Sequence, residues 1–215
     1  GIVQLVENGL YSLGLWNTTS APTPSSSYAI DDNNNASGDV CRAYWKLQEA
    51  FERYDCPLPT ESNLTALDCG AAPGGWTQFL AHNTSCRKIY SIDPGALSPS
   101  VLALPNVEHW PMTIQKALAK LEQTSNIDIW VSDMCVKDME QQVDWLLEAR
   151  KLGIVTKGTF FVLTLKCIVG HSCRTFDVLV DRQLHRFDHG IANHVRVLHL
   201  FSNRSSERTM IGYLV

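Results

Sequence analysis

The sequence predicts an α/β fold: a mostly parallel, seven-stranded sheet with helices on both faces and an antiparallel hairpin at its edge. Two observations carry this. From residue 40 onward, apolar runs of strand length alternate with stretches whose apolar residues recur at helical spacing. Such alternation implies strand–helix–strand crossovers and therefore parallel strands covered on both sides. The two final runs, HVRVLHLFS and RTMIGYLV, have no helix between them, so they close the sheet as an antiparallel pair.

The elements follow in order. The opening segment, GIVQLVENGLYSLGLW, is apolar enough to dock as a strand or turn on a neighbouring surface. Positions 17–38 are rich in Ser, Thr, Asn and Pro and bury too little to offset ordering, so they read as linker. Residues 1–39 are thus expected to be an N-terminal extension and residues 40–215 the folded domain. In CRAYWKLQEAFERY, residues Tyr44, Leu47, Ala50, Phe51 and Tyr54 line one side of a helix. LTALDCGA is a buried strand and GWTQFLAH the helix after it. RKIYSIDPG is a second strand ending in a turn. VEHWPM is a third, weaker strand, followed by amphipathic TIQKALAKLEQ. IDIWVSDM is the fourth strand, and DMEQQVDWLLEARKLG a helix that stops at Gly153. GTFFVLTLKC is the fifth strand, and SCRTFDVLVDRQLHRF the last helix.

Composition narrows the function. The 215 residues are 45% apolar and 19% charged, within the globular range. The net charge of −4 argues against a general polyanion binder but leaves room for a local basic groove. Seven cysteines with no C-x-x-C pair fit neither a disulfide framework nor a zinc site. They point to an intracellular, reducing compartment, with cytoplasm first and nucleus or mitochondrion left open. No apolar run approaches the roughly 20 residues of a membrane span, so no membrane partner is expected. The chain starts at Gly1 without Met, which leaves open a removed N-terminal domain or targeting segment.

The most informative stretch is LDCGAAPGGW, residues 67–76, between the first predicted strand of the domain and the helix after it. Ligands of doubly wound sheets sit at such strand ends. Small residues at Gly70, Ala71 and Ala72 admit close approach, and Gly74 and Gly75 relax the backbone. There is no Lys-Ser/Thr after the glycines and no G-x-G-x-x-G, so neither a phosphate cradle nor a dinucleotide site is expected. Asp93, ending the second strand, is placed to accept hydrogen bonds from ribose hydroxyls. The pattern suits a nucleoside better than a nucleotide.

DCGAAPGGWTQFL resembles motif I of the FtsJ-like ribose 2′-O-methyltransferases, Rossmann-like enzymes of the class I methyltransferase type. CRAYWKLQEA resembles their leading helix and VSDM the end of their fourth strand. Over residues 40–215 the resemblance implies S-adenosyl-L-methionine as cofactor and RNA ribose as methyl acceptor. It implies cofactor contacts at Asp68, Gly70, Ala71, Pro73, Gly74, Gly75, Trp76, Asp93 and Asp133. It also implies a Lys-Asp-Lys-Glu tetrad, which maps to Lys46, Asp133, Lys166 and Glu207. Singly, each has a bland reading: an exposed helical lysine, a strand-end cap, a snorkelling lysine, a turn residue. Four together on top of motif I reverse that reading.

The tetrad suits the chemistry. A 2′-hydroxyl is a poor nucleophile that must be aligned and relieved of its proton. A lysine serves as base when burial and a nearby cation pull its pKa toward neutrality. Lys166 is expected to be that base, with Lys46 the neighbouring cation and the ribose-orienting group. Asp133 and Glu207 would position the amines, and no metal is expected. Two departures stand out. Met134-Cys135 replaces the Ala-Pro that follows the aspartate in many members, and His109-Trp110-Pro111-Met112 lacks the usual acidic adenine contact. These allow a second reading, an RNA-binding or assembly scaffold with little activity. Candidate RNA contacts are Arg42, Lys46, Arg53, Lys137, Arg174, Arg204 and Arg208, with Tyr44 or Trp45 as a stacker. Ribosomal RNA is the first expected partner and capped mRNA the enzymatic alternative. An RNA-binding domain absent from this chain would supply specificity.

Overall fold

The computed structural model describes residues 2–6, 10–14, 42–122, 126–167 and 173–215, with the side chains of 2–6, 10–14 and Cys173 left aside. The expected linker at 17–38 lies outside them. The chain divides into two units, Gly1–Asn35 and Ala36–Val215. In the first, β1 (Ile2–Val6) and β2 (Leu10–Gly14) form an antiparallel hairpin, with Val6 opposite Leu10.

The second unit runs α1 (Ala43–Arg53), β3 (Leu64–Cys69), α2 (Gly75–Asn83), β4 (Cys86–Ile92), α3 (Pro99–Leu102) and β5 (Val107–Trp110). It continues with α4 (Ile114–Leu121), β6 (Ile127–Ser132), α5 (Glu140–Lys151), β7 (Val155–Lys166), α6 (Cys173–His185), β8 (Ala192–Leu198) and β9 (Glu207–Leu214). The seven strands lie in the order β5-β4-β3-β6-β7-β9-β8. The first five are parallel, and β9 runs antiparallel to both β7 and β8. The sheet is therefore mostly parallel, as the alternation predicts, and the last strand slots inside the one before it.

The central strands are apolar throughout because both faces are covered. Ile129, Val131, Phe160 and Val162 pack with Leu47, Ala50, Phe79 and Leu80 of α1 and α2. The intervening Trp130, Phe161 and Leu163 pack with Leu118, Val143, Leu146 and Val180 of α4, α5 and α6. This is the period-2 alternation of a strand read on two buried faces.

Sequence reading misses three local features. α3 is a single turn, too short to show a periodic pattern. β7 begins at Val155, three residues before Gly158, because the strand bulges there: Gly158 has φ 92° and the register against β6 shifts. β8 begins at Ala192 and also bulges, with His194 at φ 52°. The predicted stop of α5 is a Schellman end, in which Ile154 N donates to Ala149 O and Gly153 N to Arg150 O, with Gly153 at φ 72°.

Gly74 opens α2 at φ 121°, and a Cβ there would lie 2.9 Å from Val101 Cγ2. Gly74→Ala therefore adds a clash to backbone strain, whereas a Cβ on Gly153 meets nothing within 4 Å. Gly74→Ala should lower stability by about 2–3 kcal/mol and Gly153→Ala by about 1 kcal/mol. Melting temperatures should rank wild type, Gly153→Ala, then Gly74→Ala.

Candidate active site

The carboxyl ends of β3, β4, β5 and β6 surround a cavity of about 540 Å³, inside the range of about 300–1,000 Å³ typical of ligand pockets. Gly70 follows β3, Asp93 follows β4, Met112 and Thr113 follow β5, and Asp133 to Val136 follow β6; Gln141 and Trp145 of α5 complete the wall. A second hollow of about 220 Å³ shares Gly70, Ala72, Asp133 and Cys135 with it and adds Ala71, Gly75, Trp76 and Lys166. Two chambers thus meet at Gly70 and Asp133.

The loop after β3 is held by its neighbours. Gly70 N and Ala71 N both donate to Ile92 O, at 2.9 and 3.3 Å, which ties the loop to β4. A Cβ on Gly70, at φ 80°, would run into the Met134 side chain, so the glycine leaves room for the residue behind Asp133. Asp93 accepts hydrogen bonds from Ala72 N at 3.2 Å and Gly95 N at 2.7 Å. Its carboxylate is oriented by backbone and keeps lone pairs for further donors.

The four tetrad side chains gather beside the junction, where Asp133 lines both chambers, Lys166 the smaller one, and Lys46 and Glu207 sit behind them. Lys46 Nζ donates to Asp133 Oδ1 at 3.0 Å and to Glu207 Oε2 at 3.1 Å. Lys166 Nζ lies 3.0 Å from the same Asp133 oxygen and donates to the Asp133 carbonyl at 2.6 Å. Lys46, Lys166 and Glu207 are only 7%, 8% and 8% exposed. Lys46 is thus on the buried side of its helix, beside Leu47 and Ala50, and not on a solvent face. Cys135 Sγ sits 3.5 Å from Lys166 Nζ.

Charge explains the protonation states. Burial alone would pull the Lys166 ammonium down, but the carboxylates of Asp133 and Glu207 outweigh it and hold its pKa above the usual lysine value. The fall toward neutrality that a base requires is therefore not found in the free site, because two ammoniums face two carboxylates. Burial would raise Glu207, yet Lys46 and the Arg204 N–H hold its carboxyl below the usual range. Glu207 thus stabilises the fold above its ordinary pKa and loses that contribution in acid.

Not every expected contact lies on the cavity wall. Gly70, Ala71, Gly75, Trp76, Asp93 and Asp133 do; Pro73, Gly74 and Asp68 do not. Asp68 is 1% exposed and faces α2, sharing its side of β3 with Ala66, and accepts the Thr77 hydroxyl at 2.7 Å. In that setting burial raises its pKa to about 7. His109 is half-buried, with Nε2 3.0 Å from the Asp93 carbonyl, and Met112 and Thr113 take the wall position after β5. Sequence reading leaves Thr113, Gln141 and Trp145 out of the site; their only signal is position, one just past a strand end and two on the first turns of α5. Of the basic residues, Arg42, Lys137, Arg174 and Arg204 are exposed, whereas Arg208 is bound to Asp177 at 3.2 Å. Tyr44 packs on Phe79, and Trp45 is left 42% exposed. Among the described residues no His/Cys/Asp/Glu group is arranged for a metal, and no helix is long and apolar enough to cross a membrane.

Strand order, two-faced helical cover and a strand-end cavity define a Rossmann-like fold of the methyltransferase type. The family model for FtsJ-like methyltransferases matches residues 40–201, and the chain belongs to that family. It is 48% identical over 74 residues to ribosomal RNA large subunit methyltransferase M of Aromatoleum aromaticum, covering 32% of this chain and 19% of that protein. Against the protein of the same name from Marinomonas it is 34% identical over 114 residues, covering 49% and 30%. The chain thus spans less than a third of the length of these relatives. Among solved structures, Aeropyrum pernix fibrillarin, in complex with natively bound S-adenosyl-L-methionine, aligns at TM-score 0.58 and 15% identity, over 80% of this chain and 76% of that one. Methanococcus jannaschii fibrillarin, a pre-rRNA processing protein, aligns at TM-score 0.57 and 15% identity, over 79% and 74%.

An acid whose folded-state pKa lies above its unfolded value binds its proton more tightly in the folded chain. Asp68 therefore stabilises most below about pH 4, and stability falls as pH rises toward about 7. Asp68→Asn keeps the Thr77 hydrogen bond without the charge. Its melting temperature relative to wild type should climb between pH 4 and 8; a pH-independent difference would refute the assignment.

Proposed function

We propose that residues 40–215 form an S-adenosyl-L-methionine-dependent methyltransferase domain acting on the ribose 2′-hydroxyl of ribosomal RNA. The observation that carries this is the meeting of Lys46, Asp133, Lys166 and Glu207 at the junction of two chambers beside the motif I loop. The relatives, ribosomal RNA large subunit methyltransferases by name, favour that acceptor over capped mRNA. An RNA-binding domain outside these 215 residues would select the target, in keeping with the short span of the relatives that is matched.

The larger chamber fits the cofactor. Gly70 and Ala72 bring bare main chain to it, Asp93 offers a carboxylate to hydroxyl donors, and Met112, Ile114 and Trp145 give apolar walls. Gly70, Ala72, Asp93, Met112 and Asp133 would hold it. When bound, S-adenosyl-L-methionine supplies an electrophilic methyl group on a sulfonium cation, whose charge would also oppose protonation of a neighbouring amine. Lys46, anchored between Asp133 and Glu207, orients the ribose hydroxyl. Lys166, opening on the smaller chamber, accepts the hydroxyl proton once it has released its own. Asp133 fixes both amines through one oxygen, which sets their spacing. Alignment of this kind is worth up to about 7–11 kcal/mol of barrier. Met134 and Cys135, in place of Ala-Pro, line this chamber beside Asp133.

Titration calorimetry with S-adenosyl-L-methionine should give saturable binding, and methyl transfer should be greater to ribosomal RNA fragments than to capped RNA. No cofactor binding at millimolar concentration would refute the assignment. Lys166→Ala should abolish transfer while changing cofactor affinity less than about threefold. Because Lys166 starts protonated, the turnover rate should rise with pH through the neutral range, up to tenfold per unit. A flat profile between pH 6 and 9 would exclude Lys166 as the base.

A further inference from the structure

The loop between β8 and β9, which leads into Glu207, presents Phe201 with 81% of its surface exposed. That presentation is fixed. Glu49 on α1 accepts hydrogen bonds from Phe201 N at 2.7 Å, Ser202 N at 3.2 Å and Ser202 Oγ at 3.0 Å. Asn203 Oδ1 accepts from Leu200 N at 2.9 Å, closing the loop on itself. Arg53, one turn beyond Glu49, donates to Glu49 Oε1 at 3.0 Å and to His199 O at 2.9 Å. Its guanidinium carbon lies over the Phe201 ring, 5.7 Å from the centroid. An aromatic ring is thus anchored by its own backbone, backed by a cation and left facing water.

We infer that Phe201 and Arg53 form a stacking platform for a base of single-stranded RNA flanking the methylated nucleotide. The inference rests on the RNA methyltransferase reading and deepens it. α1 carries both the tetrad residue Lys46 and the platform residue Arg53. At 1.5 Å per residue the two are separated by roughly 10 Å along the helix, the rise of about three stacked nucleotides at 3.4 Å each. A strand whose ribose lies at Lys46 therefore reaches Phe201 within a few nucleotides. Charge agrees: Arg42 at the start of α1 and Arg204 just after the platform are exposed and form no ion pair among the described residues, so both remain for phosphates. Glu49, the acid that holds the loop, is paired with Arg53. Bases of any identity stack on an aromatic face, so the platform adds affinity without dictating sequence.

The test uses the 215-residue chain and a fluorescein-labelled, unstructured RNA of about twelve nucleotides, a length within known single-strand site sizes, read by anisotropy at low salt. Phe201→Ala should weaken binding about 5- to 150-fold, the value of one stacked base. Phe201→Leu should lose as much, because it keeps apolar bulk without a π-face, and Phe201→Trp should restore affinity. Wild-type affinity in Phe201→Ala, full affinity in Phe201→Leu, or no RNA binding by the wild type would each overturn the platform. Cofactor affinity by calorimetry should be equal in all four proteins. Its absence from the wild type would instead count against the methyltransferase reading, which separates the two failures.

Discussion

Lys46, Asp133, Lys166 and Glu207 come from α1, the end of β6, the end of β7 and the start of β9, and each is largely withdrawn from water. A buried charge that loses its partner costs about 3–5 kcal/mol, so none of the four elements can drift without penalty. The supporting bonds follow the same logic. Asn203 and Arg204 N hold Glu207, and Glu49 holds the loop that carries them. Lys166 binds both the carboxylate and the carbonyl of Asp133, so main chain and side chain are fixed together. Beneath, Gln142 links Ser132 at 2.6 Å to the Thr164 carbonyl at 2.5 Å, bracing β6 against β7 just before their functional ends.

Much of this fold is legible in the chain because its central strands are short, apolar and separated by amphipathic helices. The tetrad is legible only through resemblance: no spacing joins Lys46 to Glu207, and it is β9 pairing between β7 and β8 that carries Glu207 next to Lys166. The register makes them direct partners. Asp68 shows what a motif leaves unsaid. A motif acid reads as a ligand contact, but alternation along β3 turns it toward Thr77 and Ser91 inside the domain. Thr113, Gln141 and Trp145 carry no pattern of their own; the crossovers bring them to the rim.

The net charge of −4 takes on a definite location. Residues 1–41 contain four acidic residues and no Lys or Arg, which leaves eighteen of each sign over 42–215. The folded domain is therefore neutral, and its tetrad is neutral as well. Attraction for a polyanion must come from local cations such as Arg42 and Arg204, not from a general field. For the RNA acceptor proposed above this predicts weak, salt-sensitive binding by a domain that depends on other contacts to find its target.

Neutrality of the tetrad sets a conflict at the heart of the site. The carboxylates that hold two lysines underground are the same groups that keep Lys166 protonated. Removing either acid would free the base and unmoor it at once. In the reaction proposed above, a cation bound beside Asp133 would oppose that protonation without displacing either carboxylate. Closed and charge-balanced by itself, the tetrad would release a proton from Lys166 more readily in the proposed reaction, with a positive ligand beside Asp133.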